Sequence, residues 1–166
     1  EAAFILEQGS KIEKIDNLIK DFGMPMGPFT LADTVGVDVG YKVACILNEA
    51  YGNRMPIASI IEKMYDAKLF GAKTKAGFYE YAGRDIYPNA HVTPMLENNN
   101  KIIEDEEIVQ RCIYIMINEA SRCLEENIVS DASIIDFAMI TGTGFPAYKG
   151  GLLSYANDIG LKNILE

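Results

Sequence analysis

Few side chains in this 166-residue sequence are of types that do acid–base, nucleophilic or metal chemistry. The single histidine, His91, sits between Pro88 and Pro94 in a stretch with turn character. An imidazole that abstracts a proton needs a carboxylate to orient it, and the sequence around His91 supplies none, so it is read as a surface loop residue. Cys45, Cys112 and Cys123 lie in apolar helical patterns, without a CxxC pair or a nearby histidine. They are read as reduced core thiols of a reducing compartment, not as zinc ligands, and no metal site is assigned. The adjacent Glu125 and Glu126 fall on different faces of a helix and read as solvated surface. Gly142-Thr143-Gly144-Phe145-Pro146-Ala147 fits the pattern G-x-G-x-x-A. A dinucleotide site needs that turn after a strand, with free backbone N–H groups. Here a helix precedes it and Pro146 removes one donor, so cofactor binding is not assigned to these residues.

The segments between these groups are mostly helical in pattern. Ser10 and Glu13 have capping-box spacing, ahead of Ile12, Ile15, Leu18 and Ile19 on one face, and Gly23 marks the end of that helix. Gly23-Met24-Pro25-Met26-Gly27-Pro28 forms a turn, with Pro28 placed to open the next helix. Asp38 is the expected cap of a helix carrying Val39, Val43, Ile46, Leu47 and Ala50 as its apolar stripe. Ser59 and Glu62 repeat the capping-box spacing, with Pro56 an alternative start one turn earlier. Gly71 to Tyr81 does not suit a helix and reads as extended or looped, and residues 82–100, with the run Asn98-Asn99-Asn100, read as loop. The acidic run Glu104–Glu107 complements the positive end of a long helix reaching about Glu126. Ser130 or Asp131 caps another helix through Met139, and a glycine-rich turn leads to a last helical stretch.

The whole is 49% hydrophobic and 23% charged, enough apolar material for a sizeable core. A net charge of −9 leaves no clustered cations for nucleic acid, and no apolar run reaches the ~20 residues of a membrane span. An internal repeat is the most informative pattern. Glu1-Ala2 and Leu6-Glu7 match Glu119-Ala120 and Leu124-Glu125; Ile15-Asp16 matches Ile135-Asp136; Gly23-Met24-Pro25 matches Gly144-Phe145-Pro146; Gly27, Ala32 and Gly36 match Gly151, Ala156 and Gly160. Two copies are expected, residues 1–95 and 96–166. The second Glu-Ala pair lies deep inside a helix and the first is the start of the chain, so a helical segment preceding Glu1 is expected, the chain being a fragment.

The stretch GMPMGPFTLADTVGVD, with KTKAGFYEY, resembles the C-terminal domain of L-3-hydroxyacyl-CoA dehydrogenases. NEASRCLEENIV and GTGFPAYKGGLLSYANDIG resemble a degenerate second copy, as in the multifunctional enzymes of fatty-acid β-oxidation. The resemblance implies an all-α, duplicated helical domain, like those of 6-phosphogluconate dehydrogenase and 3-hydroxyacyl-CoA dehydrogenase. It implies a parent enzyme passing hydride from a 3-hydroxyacyl-CoA to NAD. The NAD would sit on a Rossmann domain, with a histidine in an HFFNP-like motif, and neither is found in this sequence. No catalytic or NAD-binding residue is therefore expected here. The turn Met24, Pro25, Met26, Gly27, Pro28 and Phe29 would wall the substrate cleft, and Lys73 and Lys75 are candidates for the CoA phosphates. Expected partners are acyl-CoA, the Rossmann domain, and a second copy or a thiolase subunit. The compartment would be the cytoplasm in a bacterium, or mitochondria or peroxisomes in a eukaryote. The rival readings are a helical association module without substrate contact, and the helical domain of another hydroxy-acid dehydrogenase.

Overall fold

Apolar residues at helical spacing dominate the sequence, and the computed structural model, which describes residues 1–97 and 101–165, is mostly helical. In chain order come α1 (Ala2–Glu7), α2 (Ile12–Phe22), α3 (Pro28–Val35), α4 (Val37–Tyr51) and α5 (Ser59–Asp66). A hairpin of β1 (Tyr79–Ala82) and β2 (Asp85–Pro88) follows, then α6 (Asp105–Glu125), α7 (Ala132–Ala138), α8 (Leu152–Ile159) and α9 (Leu161–Leu165). The hairpin is antiparallel, pairing Tyr79 with Pro88 and Ala82 with Asp85. Strand β2 was expected as loop. All four of its residues are exposed, so no alternation of polarity marks it, and pairing with β1 alone defines it. Asn98, Asn99 and Asn100 lie outside the described residues.

Local signals set several helix ends. Gly23 closes α2 in the left-handed region (φ 119°), and the Met24 N–H reaches back to the Ile19 carbonyl. Pro28 opens α3, and Asp131 caps α7 by accepting from the Ser133 N–H at 2.8 Å. Three expected caps are corrected. Lys11, not Ser10, precedes α2, because the Ser10 N–H closes α1 on the Ile5 carbonyl. Helix α4 starts at Val37, leaving Asp38 inside its first turn. Helix α5 starts after Ala58, and its cap comes from another helix: Glu7 Oε1 accepts from the Ser59 hydroxyl and the Ile60 N–H, both at 2.8 Å.

Two apolar cores result. One gathers Ile5, Leu6, Ile15, Phe29, Ile60, Met64 and Phe78; the other gathers Ile113, Ile117, Phe145 and Leu152. Helix α6 supplies Ile108 to the first and Ile113 and Ile117 to the second. Phe22 at the end of α2 crosses into the second core, edge-on to Phe145 at 5.8 Å and Tyr155 at 5.3 Å. Arg54, just beyond α4, donates to Glu119 at 2.9 Å and pairs with Glu126 at 2.5 Å, tying the first half to α6. Glu126, expected as free solvated surface, is thus an ion-pair partner.

Matched positions in the halves make matched bonds. The carboxylate of Asp16 accepts from the Phe29 and Thr30 N–H groups and the Thr30 hydroxyl. That of Asp136 accepts from the Leu153 and Ser154 N–H groups and the Ser154 hydroxyl. Each aspartate is buried and faces a helix N-terminus, where a carboxylate is favoured. Gly27 and Gly151 make room for them, since a Cβ at either would overlap the aspartate side chain. The α1 ending, where Gly9 N–H meets the Leu6 carbonyl, is repeated at Asn127 and Leu124, both Gly9 and Asn127 having positive φ.

These contacts set the signs of three substitutions under urea denaturation. Gly27→Ala, which drives a methyl into Asp16, is expected to cost about 2–3 kcal/mol. Gly40→Ala, in exposed α4 with open space around it, is expected to gain roughly 0.5–1 kcal/mol. Glu7→Ala removes the borrowed cap of α5 and is expected to cost on the order of 1 kcal/mol. An unchanged midpoint for Gly27→Ala would show that Asp16 is not held as described.

Candidate functional site

Residues 23–29 link α2 to α3, and Asp16 fixes where the turn ends. Its Oδ1 lies 2.8 Å from the Phe29 nitrogen; its Oδ2 lies 2.9 Å from the Thr30 nitrogen and 2.7 Å from the Thr30 hydroxyl. A fourth donor, the Tyr79 hydroxyl, reaches the same Oδ2 at 2.9 Å from the hairpin. The candidate turn residues separate. Pro25 is exposed, Met26 and Pro28 are half-buried, and Gly27 is buried against Asp16. Met24 packs against the second core. Phe29 offers no surface, being 2% exposed with its ring 4.5 Å from that of Phe78. Its expected place on an open apolar wall is corrected: it faces inward because it follows Pro28 into the first turn of α3.

The open apolar surface is instead carried by α3 and α4. Leu31, Val35, Val39, Val43 and Ile46 are between 43% and 64% exposed. The apolar stripe expected on α4 includes three of these residues, Val39, Val43 and Ile46. In the structure α4 buries Val37 alone among its residues, and the stripe stands in solvent. Contiguous exposed aliphatic side chains mark surfaces that meet other molecules or domains.

Asp33, in the last turn of α3, organises the segment from Gly71 to Tyr81. Its carboxylate accepts from the Phe78 and Tyr79 N–H groups, both at 2.9 Å, and from the Tyr81 hydroxyl at 3.1 Å. Gly71 and Gly77 let the segment close around it, since a Cβ at either would overlap Asp33. Burial raises the Asp33 carboxyl above the ordinary range, opposed by its backbone and tyrosine donors. The Tyr79 and Tyr81 hydroxyls are also held protonated, by burial first and then by the neighbouring carboxylates. Sequence reading missed Asp16, Asp33, Tyr79 and Tyr81. A signal existed for Asp16, a carboxylate among Ile12, Ile15 and Ile19 recurring as Asp136 beside Ile135.

The remaining candidates do not join this network. Lys73 is ion-paired with Asp38, which its ammonium holds below the usual carboxylate range, and Lys75 is exposed in a left-handed turn (φ 61°). His91 is exposed, its backbone N–H bonded to Asn89 Oδ1 at 2.9 Å. All three cysteines are half-buried, and burial pushes the Cys112 thiol up to about 11, the opposite of nucleophile activation. The G-x-G-x-x-A stretch begins in a π-type turn after α7, and Phe145 and Pro146 are buried. That geometry follows a helix and presents no pyrophosphate cradle.

Residues 1–81 match the family model for the 3-hydroxyacyl-CoA dehydrogenase C-terminal domain. The chain is 36% identical over 168 residues to the fatty acid oxidation complex subunit alpha of Acinetobacter baumannii (strain SDF), covering 95% of the chain and 23% of that subunit. It is 38% identical over 173 residues to the subunit of the same name from Vibrio cholerae (strain ATCC 39541 / Classical Ogawa 395 / O395), covering 100% and 24%. The chain therefore spans about a quarter of the length of these curated relatives. The dehydrogenase part of multifunctional enzyme 1 from C. elegans superposes with a TM-score of 0.64 at 30% identity, over 90% of this chain and 36% of that one. A 3-hydroxybutyryl-CoA dehydrogenase from Escherichia coli K12 shares the fold, with a TM-score of 0.78 at 19% identity over 99% and 51% of the two chains. The chain is thus similar through residues 1–81 to the C-terminal domain of 3-hydroxyacyl-CoA dehydrogenase, and through nearly its whole length to a quarter of the fatty acid oxidation complex alpha subunits.

Proposed function

We propose that this chain is the helical part of an NAD-dependent 3-hydroxyacyl-CoA dehydrogenase of fatty-acid β-oxidation, as found in multifunctional enzymes. The carrying observation is the similarity, over 95–100% of the chain, to one contiguous quarter of such alpha subunits. In this reading residues 1–95 and 96–166 are two copies of one unit. The matched bonds of Asp16 and Asp136 support the duplication. The first copy walls the substrate cleft and the second braces it.

The turn from Met24 to Phe29 then serves the cleft mainly through Pro25, Met26 and Pro28, and the exposed stripe of α3 and α4 meets the Rossmann domain. NAD supplies the hydride acceptor on that domain; this chain's residues shape the cleft, exclude water and carry no proton. Lys75, exposed in its turn, is the better candidate for CoA phosphate, because Lys73 is committed to Asp38. The full protein acts in the cytoplasm if bacterial, with a thiolase subunit or a second copy as partner.

Three measurements test this. The purified 166-residue chain is expected to give no turnover in an NADH-linked assay with acetoacetyl-CoA, and turnover would refute the assignment of chemistry elsewhere. Grafted in place of the matching quarter of the Vibrio cholerae subunit, it is expected to support 3-hydroxyacyl-CoA oxidation with kcat/KM within roughly tenfold of the parent, about 1.4 kcal/mol. Met26→Asp in that graft is expected to raise KM more than it lowers kcat. A folded, soluble graft that binds NAD but cannot oxidise substrate overturns the reading.

A further inference from the structure

The two halves provide an internal comparison. Both fix a turn by an aspartate at the N-terminus of the following helix, through matched N–H and hydroxyl donors. Among the described residues, only the first half adds a further side-chain donor to the capping aspartate itself; the turn of the second half is tied instead by the Tyr148 hydroxyl, which donates to the Phe22 carbonyl at 3.1 Å. Tyr79 bridges both aspartates of the first half: its N–H donates to Asp33 Oδ2 and its hydroxyl donates to Asp16 Oδ2, each at 2.9 Å. Those two carboxylates sit at opposite ends of α3, one holding its first turn and one projecting from its last. In the second half, at the repeat position of Asp33, stands Asn157, which is exposed, and Asp136 accepts from Leu153 and Ser154 alone among the described residues. In the second half the aspartate is satisfied by the helix N-terminus alone, so a fourth donor is not what this capping arrangement requires. The Tyr79 strap is an addition particular to the half whose turn is read as facing substrate.

From this difference we infer that Tyr79 is a positioning residue for 3-hydroxyacyl-CoA binding. It clamps α3 from both ends and so fixes Pro25, Met26 and Pro28 at the cleft. The inference rests on the dehydrogenase reading above. A rigid α3 also fixes Leu31 and Val35, the exposed side chains that continue the wall away from the turn. Removing the hydroxyl leaves the Asp16 cap on Phe29 and Thr30 intact, so the expected fault is looseness of the turn, not loss of the fold.

The test pairs Tyr79→Phe with Ser154→Ala, which deletes a hydroxyl donor to Asp136 in the second half. In the 166-residue chain, amide exchange of Phe29, Thr30 and Leu31 is expected to rise about fivefold in Tyr79→Phe, the ratio that loss of one hydrogen bond gives. Amides of Leu153, Ser154 and Tyr155 should be unchanged. Uniform acceleration across both halves, or none at α3, overturns the positioning role. In the full-length enzyme, Tyr79→Phe is expected to raise KM for the acyl-CoA by a similar factor, roughly fivefold, with kcat within about twofold. Ser154→Ala should leave both constants unchanged at a comparable loss of thermal stability. Unaltered KM in Tyr79→Phe, or equal kinetic shifts in the two variants, rejects the inference while the dehydrogenase reading stands. Absence of turnover by the unmutated full-length enzyme rejects that reading and this inference with it.

Discussion

A carboxylate buried at the start of a helix holds this fold in register. Asp16 takes four donors from two later segments of the chain, α3 and the hairpin. An ionised carboxylate out of water is costly unless its lone pairs are filled. The helix N-terminus fills them with N–H groups that would otherwise lack partners. The two needs cancel, and the geometry that satisfies both fixes the turn between α2 and α3. The demand for space follows directly: Gly27 must lack a Cβ, and Gly151 must lack one for the same reason at Asp136. The Asp-and-Gly pairing therefore recurs across the halves even where other side chains diverge.

The helices were legible in sequence wherever a signal acts within one turn of chain. Gly23 ends α2, Pro28 begins α3, Asp131 caps α7 and the acidic run at Glu104–Glu107 introduces α6, all by local chemistry. Ser10 and Ser59 carried the same kind of signal and did not act on it. The Ser10 amide is engaged by the end of α1, and the Ser59 hydroxyl is turned to Glu7, 52 residues away. The stripe of α4 was legible as apolar but its exposure was not, because periodicity reports that a face is apolar, not what covers it. Strand β2 has no periodicity to read.

The candidate site was legible in part. The turn itself stands out by its glycines and prolines, whereas the open aliphatic surface beside it lies on α3 and α4. What places it was not visible, since Asp33 meets Phe78 and Tyr79 across 45 and 46 positions of sequence. Contacts at such separation leave a trace in one sequence only through repetition. Asp16 had that trace in Asp136. Asp33 had none, because its counterpart is a solvent-facing amide that binds no hairpin.

Helix α6 carries a consequence of another kind. Its 21 residues make a rod about 31 Å long at 1.5 Å per residue, with one end embedded in each core. Phe22 crosses the opposite way, and Gly23 and Gly144 close against Pro146 and Pro25 in a reciprocal pair. Neither half can melt without stripping apolar area from the other. The molecule therefore gains cooperativity from its connectivity: two small cores, each marginal by itself, share one unfolding transition.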